Sequence, residues 1–261
     1  MVGKKTIWYS RTYRTLQTDL LSAAKFTLFL VIPVLIILVL NLDWISYIMC
    51  NLAQRLISAE LPQKELLVET TTFVPFGEIS VLSFECGLPT PNEIAVNIVV
   101  VIAAITAMAL SRMRGRPLMV YLLFSFMVHI ISCVFFAFER NSIVYTGREF
   151  SEIFMKQQLG IWILFVVLMG VVLALYSGRG VLHKVLAFLT VMVWSGLLGV
   201  LRYIVFMYIL ARLSALYMAD MYFVTGPIFD FLYLVGIYSI YSNRMQKIFE
   251  SPEGESEWKW L

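Results

Sequence analysis

Cys86 is the residue of this sequence best suited to covalent chemistry. It lies a few residues before an apolar run that begins at Ile94. A thiol just before a helix N-terminus can have a lowered pKa, because backbone amides and the helix dipole favour the thiolate. That is the setting of a nucleophile, although an isolated cysteine also packs well as a small apolar residue. The packing interpretation is the stronger one for Cys50 and Cys133, which lie in or beside apolar runs.

Arg202 is the second candidate, because it interrupts an apolar run. A charged side chain is costly inside a membrane, so it should face the protein interior and have a partner there. It lies about 17 residues into its predicted helix, a rise of about 25 Å, near the predicted depth of Cys86. We therefore expect the two side chains within about 8 Å of each other, where the guanidinium would favour the thiolate. Snorkelling, or an ion pair with Asp220 or Glu93, is the alternative.

The remaining polar residues give no further motif. His129 lies halfway along a predicted helix, where a neutral imidazole is expected to hydrogen-bond a neighbouring carbonyl. Because the sequence contains no phosphate-binding loop, metal-ligand spacing or Ser/His/Asp pattern, no cofactor and no metal are predicted. The formal net charge of +3 is spread over short clusters between apolar runs, which argues against nucleic acid as a partner.

The elements that must hold these residues are membrane helices. Hydrophobic residues make up 60% of the 261 and charged residues only 14%, a composition that only the lipid bilayer solvates. A span needs about 20 mostly apolar residues, and about six runs approach this length, which predicts an all-α membrane protein. The runs are residues 26–42, extending towards 52, then 94–110, 118–138, 161–176, 185–210 and 228–241.

Basic residues predict how the chain crosses the membrane. Thirteen of the 20 Lys and Arg residues fall before the first run, after the last, and in the two loops on that same side. This positive-inside asymmetry places both termini in the cytoplasm. We predict a cytoplasmic segment 1–25, a membrane domain 26–242 and a cytoplasmic tail 243–261. The acidic end of the tail, from residue 250, is expected to be disordered.

Three segments are then predicted on the extracytoplasmic side. In residues 46–92, an amphipathic stretch is followed by two β-rich runs around a Pro75-Phe76-Gly77 turn. This pattern predicts a β-hairpin over residues 67–84, within an extracytoplasmic segment 66–86. The second segment, 139–160, is expected to form an interfacial helix. The third segment is 214–226.

Two stretches resemble the exosortase/archaeosortase family of multi-pass membrane cysteine transpeptidases. In residues 76–107, a hairpin with a central glycine leads to Glu85-Cys86-Gly87 and a helix, and in residues 198–241, Leu201-Arg202-Tyr203 is similar to the arginine helix of the family. Together they cover under a third of the chain. The resemblance implies Cys86 as nucleophile, Arg202 as its electrostatic partner, and a histidine on the outer side of the membrane.

The chain departs from the family pattern at the base. Residues 214–231 contain no histidine, and the nearest positions hold Asp220 and Tyr222. Gly87 directly follows Cys86 where the family has a serine or threonine, and two additional spans separate Cys86 from Arg202. A thiol without a base is a poor nucleophile at neutral pH, so either Asp220 or Tyr222 takes that role or catalysis has been lost.

Two functions remain open from the sequence. One is an exosortase-like enzyme that processes the C-terminal anchors of secreted proteins in the cytoplasmic membrane of a prokaryote. The other is a non-catalytic membrane subunit that binds another membrane or secreted protein, for example a polysaccharide synthase or exporter. A small-solute channel is disfavoured because the predicted spans contain few charged residues.

The asymmetry of basic residues makes the topology testable. Reporter fusions after Arg114 and Arg179 should be cytoplasmic, and fusions after Lys64 and Arg148 should be external. Activity of a periplasm-dependent and a cytoplasm-dependent reporter at each site gives the measurement. Reversal at any two sites would contradict the six-helix arrangement.

Overall fold

The structure is a computed structural model, and it describes residues 14–16, 20–110, 117–139, 145–175, 181–249 and 258–260. Six helical segments in these ranges are long and apolar enough to cross a membrane, which confirms the predicted all-α membrane fold. The helices are α1 Leu20–Phe26, α2 Ile32–Leu40, α3 Leu42–Glu60, α4 Pro91–Leu110, α5 Pro117–Phe138, α6 Gly147–Leu175, α7 Val181–Arg212 and α8 Pro227–Phe249.

The first predicted run is divided at Asn41. The helices α1 and α2, joined by a π-helical turn at Thr27–Val31, form the first candidate span, Leu20–Leu40. At Asn41 the helix is interrupted, and α3 begins at Leu42. Since α3 buries residues three, four and seven apart, it has one apolar face. It contains nearly all of the predicted amphipathic stretch 52–61.

The predicted interfacial helix is the beginning of a longer one. Helix α6 runs without a break from Gly147 to Leu175, so residues 147–160 belong to it. Its first turns contain two ion pairs at i,i+4 spacing, Arg148 with Glu152 at 3.4 Å and Lys156 with Glu152 at 2.6 Å. Such pairs stabilise a helix, and this is why charges that marked a boundary in the sequence do not interrupt it.

The predicted hairpin is confirmed. Strands β2, Leu67–Phe73, and β3, Gly77–Ser83, pair in antiparallel register from Leu67 opposite Ser83 to Phe73 opposite Gly77. Gly77 has a φ of +120°, which favours glycine and explains why the turn ends there. Strand β3 is largely buried, with Ile79 and Leu82 fully enclosed.

Side-chain hydroxyl groups satisfy the edge of β3 that faces away from β2. The N–H of Ser80 donates to Ser46 Oγ at 2.9 Å. The N–H of Leu82 donates to Ser151 Oγ at 2.9 Å and to Tyr203 Oη at 3.2 Å. A buried strand edge without partners is costly, so these hydroxyls from α3, α6 and α7 fix the hairpin to the helices.

Contacts divide the chain into two compact units. One comprises Met1–Ile37, Ile163–Trp194 and Tyr233–Leu261, and the other comprises Leu38–Trp162 and Ser195–Leu232. The candidate residues and the hairpin all belong to the second unit, which is described below by itself.

The first unit contains a short strand pair. Strand β1, Arg14–Leu16, pairs antiparallel with β4, Trp258–Trp260. The expectation of a disordered tail is therefore wrong for these three tail residues, because backbone pairing with β1 orders them. Residues 250–257 and 261 lie outside the described residues. Helix α8 continues to Phe249, so residues 243–249 of the predicted cytoplasmic tail are helical.

Removing the hydroxyls at Leu82 should reveal how the hairpin is held. Tyr203→Phe and Ser151→Ala are each expected to cost about 1 kcal/mol, because either one leaves the Leu82 N–H with a partner. In the double variant this buried N–H is unsatisfied, which adds about 1–3 kcal/mol. The two hydroxyls also bond each other at 2.8 Å, so the sum of the single costs counts that bond of about 1 kcal/mol twice. The double variant should therefore cost up to about 2 kcal/mol more than the sum. Thermal unfolding of the purified protein gives the measurement.

The matched control for this experiment is Tyr208→Phe on the same helix. The Tyr208 hydroxyl accepts a hydrogen bond from the exposed Arg212 side chain, which is not part of the hairpin. Its loss should have little effect. A double-variant cost below the sum of the single costs would contradict the shared role at Leu82.

Candidate functional site

Cys86 lies against the C-terminal end of α7. After β3, the chain reaches Cys86, whose Sγ lies 3.5 Å from the carbonyl oxygen of Leu210. The next residue is fixed to the same region, because the N–H of Ala215 donates to the carbonyl of Gly87 at 2.9 Å. Cys86 is partly buried and packs against an apolar cluster that includes Cys133 and Leu216.

The position of Cys86 raises the pKa of its thiol, whereas the sequence led us to expect a lowered pKa. The last carbonyl groups of a helix have no partner within it and carry the negative end of its dipole. The Cys86 thiol donates to one of them, at Leu210, and a thiolate there would be repelled. Burial raises the pKa of Cys86 to about 11, with a further increase from Glu93, while Lys64 opposes both. The predicted lowering of the Cys86 pKa is therefore wrong.

Arg202 is held by a different set of partners. One guanidinium nitrogen donates to the carbonyls of Thr225 and Gly226 at 2.9 and 3.1 Å. The other forms an ion pair with Asp230 at 2.7 Å and also donates to Gln158 Oε1. The predicted partner within the protein interior therefore exists, but it is Asp230, and neither Asp220 nor Glu93.

The structure does not join Arg202 to Cys86. Cys86 contacts α7 at Leu210, which is eight residues after Arg202 and about 12 Å further along the helix axis. Side chains of a helix also tilt towards its N-terminus, which turns Arg202 away from Leu210. The charges that act on the thiol are those of Lys64 and Glu93.

A helix break creates the site around Arg202. A π-helical turn at Asp220–Val224 ends before Thr225 and Gly226, and α8 begins at Pro227. At this break the guanidinium gives the Thr225 carbonyl a partner. The Gly226 carbonyl also accepts from the N–H groups of Phe229 and Asp230, at 3.2 and 3.4 Å. In α7, Gly199 leaves room for Gln158 of α6, because a Cβ atom at Gly199 would lie 2.8 Å from Gln158 Nε2.

Sequence analysis missed Asp230 and Gln158 as partners of Arg202. Asp230 had a recognisable signal, since it is an acidic residue between two phenylalanines in an apolar run. An intramembrane acid and an intramembrane base are expected to pair. Gln158 had none, because it belongs to the part of α6 that was interpreted as interfacial.

A second polar cluster contains His129. Its Nδ1 is paired with Asp220 Oδ2, and its Nε2 lies 3.2 Å from Asn97 Oδ1. The ring of Tyr217 stacks on the imidazole at 5.7 Å, and the Tyr217 hydroxyl lies 3.3 Å from Asn97 Oδ1. His129 was expected to bond a carbonyl, whereas its main partner is a carboxylate from a segment 91 residues away.

The two residues proposed as replacement bases have separate environments. Asp220 is paired with His129, so it orients a histidine and does not reach Cys86 as a base. Tyr222 packs edge-on against Phe223 at 5.0 Å. The four candidates from the sequence, Cys86, Arg202, Asp220 and Tyr222, are thus not brought together into one constellation.

Glu93 has a structural role at the start of α4. Its backbone N–H donates to Thr90 Oγ1 at 3.2 Å, and its carboxylate accepts from the Thr90 N–H at 3.4 Å. This reciprocal pair is a capping box. The second carboxylate oxygen accepts from Ser214 Oγ at 2.6 Å, which ties α4 to the segment after α7.

No family model, curated protein or solved structure matches this chain. The exosortase resemblance therefore stays a prediction. Among the described residues, no group of three or more His, Cys, Asp and Glu side chains is arranged to hold a metal ion.

The buried ion pair gives a sharp test of the Arg202 site. Arg202→Met and Asp230→Leu should each cost about 3–5 kcal/mol of stability, because each leaves one uncompensated buried charge. The double variant should recover much of this loss, since it removes both charges. Thermal unfolding and expression level in membranes are the measurements. Equal or greater loss in the double variant would contradict the pairing.

Proposed function

We propose that this multi-pass protein has an exosortase-like scaffold and acts as a non-catalytic subunit in the cytoplasmic membrane of a prokaryote. In this role it binds another membrane or secreted protein, with its own termini in the cytoplasm. The observation that carries the proposal is the hydrogen bond from the Cys86 thiol to the carbonyl of Leu210.

A cysteine nucleophile needs a thiolate, which a nearby base or a lowered pKa supplies. The hydrogen-bond acceptors of the Cys86 thiol among the described residues are two backbone carbonyls, those of Gly87 and Leu210. Neither carbonyl can take up its proton. With a pKa of about 11, the thiol is protonated at neutral pH and serves to cap α7.

The hairpin supplies a surface for the partner. Its turn presents Val74, which is 82% exposed, and Phe76, which is 36% exposed. The rings of Phe73 and Phe76 pack on each other at 5.1 Å, so the apolar tip is ordered. Since β3 is fixed to three helices by hydroxyl groups, the tip is rigidly presented, and this lowers the entropic cost of binding a protein there. Under the predicted topology this surface is extracytoplasmic.

A second candidate function is the cysteine transpeptidase itself. The observation in its favour is the His129–Asp220 pair, which resembles a base held by an orienting carboxylate. Tyr217, which stacks on His129, packs against the same apolar cluster as Cys86. Catalysis would require Cys86 to leave Leu210 and reach the imidazole.

The pH dependence of Cys86 alkylation distinguishes the two functions. In proteoliposomes treated with a membrane-impermeant reagent, we expect an apparent pKa of about 11 for Cys86. At neutral pH its thiolate should be about a hundredfold less populated than that of a solvated cysteine, whose pKa is 9.0. The rate should rise about tenfold per pH unit until the pH approaches that value.

Cys86→Ser is the control for specificity, and it should abolish labelling, because Cys50 and Cys133 are fully buried. Copurification of the partner should survive this substitution. An apparent pKa at or below 9.0, that of a solvated cysteine, would contradict the proposal and favour the transpeptidase.

A further inference from the structure

The Arg202 network leaves four buried polar atoms without a hydrogen-bond partner among the described residues. They are Gln157 Oε1, Gln158 Nε2, Arg202 Nε and Asp230 Oδ1. Three of these residues are at least nine-tenths buried, with Asp230 and Gln158 at 0% exposure and Arg202 at 9%.

Three of these residues belong to one hydrogen-bonded network, and Gln157 lies beside it. Gln158 and Asp230 each use one end of the side chain to bind the same guanidinium, which leaves their other ends unpaired. Gln157 reaches the same helix break, because its Oε1 lies 3.5 Å from the position of a Cβ atom on Gly226. The carbonyl of Gly226 in turn accepts from Arg202.

The chemistry of the unpaired atoms defines what they can bind. Two are donors, on Gln158 and Arg202, and two are acceptors, on Gln157 and Asp230. The ion pair is already neutral as a whole, so a charged ligand would bring an uncompensated charge into a buried site. A neutral group that both donates and accepts hydrogen bonds matches the set. Water and a primary amide each offer two donors and two acceptor positions.

A buried polar atom without a partner costs about 1–3 kcal/mol, and buried waters characteristically bind groups of two to four such atoms. We propose that Gln157, Gln158, Arg202 and Asp230 form a binding site for a neutral ligand that both donates and accepts hydrogen bonds. Its occupant is water or the primary amide group of a small solute.

X-ray radiolysis of the full-length protein in lipid nanodiscs tests this site, because hydroxyl radicals formed from bound water oxidise adjacent side chains. The reporter is Phe154, which is 1% exposed and whose ring centroid lies 5.5 Å from Arg202 Cζ. The comparison residue is Phe136, which is 6% exposed and belongs to the apolar cluster beside Cys86.

We expect Phe154 to be oxidised about threefold faster than Phe136 or more, although it is the less exposed ring, because water next to the polar atoms is retained. Acetamide, added as the amide probe, separates the two sources. A saturable fall in the oxidation rate of Phe154, normalised to that of the exposed Phe76, indicates that the amide displaces the water. An unchanged rate indicates that water is the sole occupant.

Oxidation of Phe154 at or below the rate of Phe136 would overturn the proposal, and this comparison needs no variant. The double substitution Gln157→Leu/Gln158→Leu should lower the Phe154 rate to that of Phe136. Its matched control is Gln54→Leu, whose amide donates to the carbonyl of Leu66 outside this site. An unchanged oxidation rate of Phe154 in the double variant would show that the two glutamines are not part of the site. None of these results depends on Cys86, so they leave the proposed function to its own test.

Discussion

Burial of the Arg202 guanidinium is the constraint on which the helix arrangement around it depends. A cation in a membrane span requires several partners, and this protein collects them from three elements. Asp230 supplies the countercharge from the first turn of α8, and Gln158 contributes from α6. The break between the π-helical turn and α8 supplies the carbonyls of Thr225 and Gly226 as further acceptors. The break therefore supplies hydrogen-bond acceptors for the guanidinium, and the guanidinium supplies a donor for the Thr225 carbonyl.

That arrangement has a consequence for Cys86. An arginine whose two terminal nitrogens bind Asp230, Gln158 and two carbonyls is held away from a thiolate about two helical turns further along α7. The thiol instead meets the carbonyl end of α7, where a negative charge is disfavoured. Both findings support the proposed non-catalytic function, in which the cysteine and the arginine have structural roles.

Much of the fold could be predicted because its signals are local. Long apolar runs identified the spans, and the Pro75 to Gly77 turn between two β-rich runs identified the hairpin. A helix was predicted at the start of α6, but its unbroken continuation into the span was not, because Arg148 and Glu152 resemble a membrane boundary unless their pairing is known.

The candidate site was less predictable, because its contacts are distant in sequence. The acceptor of the Cys86 thiol is 124 residues away, and the carboxylate of Asp220 is 91 residues from His129. Proximity of Cys86 to the start of α4 suggested a positive helix end, whereas the end that it contacts in space is the negative one of α7. Asp230 was also missed, although it had a local signal, because a lone acidic residue in an apolar run is expected to pair with a base.

The most direct measurement of the central claim is the protonation state of Cys86 in the folded protein. Its S–H stretching band can be assigned by an infrared difference spectrum between the native protein and Cys86→Ser. The account predicts that this band is present at neutral pH and is lost only as the pH approaches about 11. Absence of the band at neutral pH would show a thiolate and contradict the account.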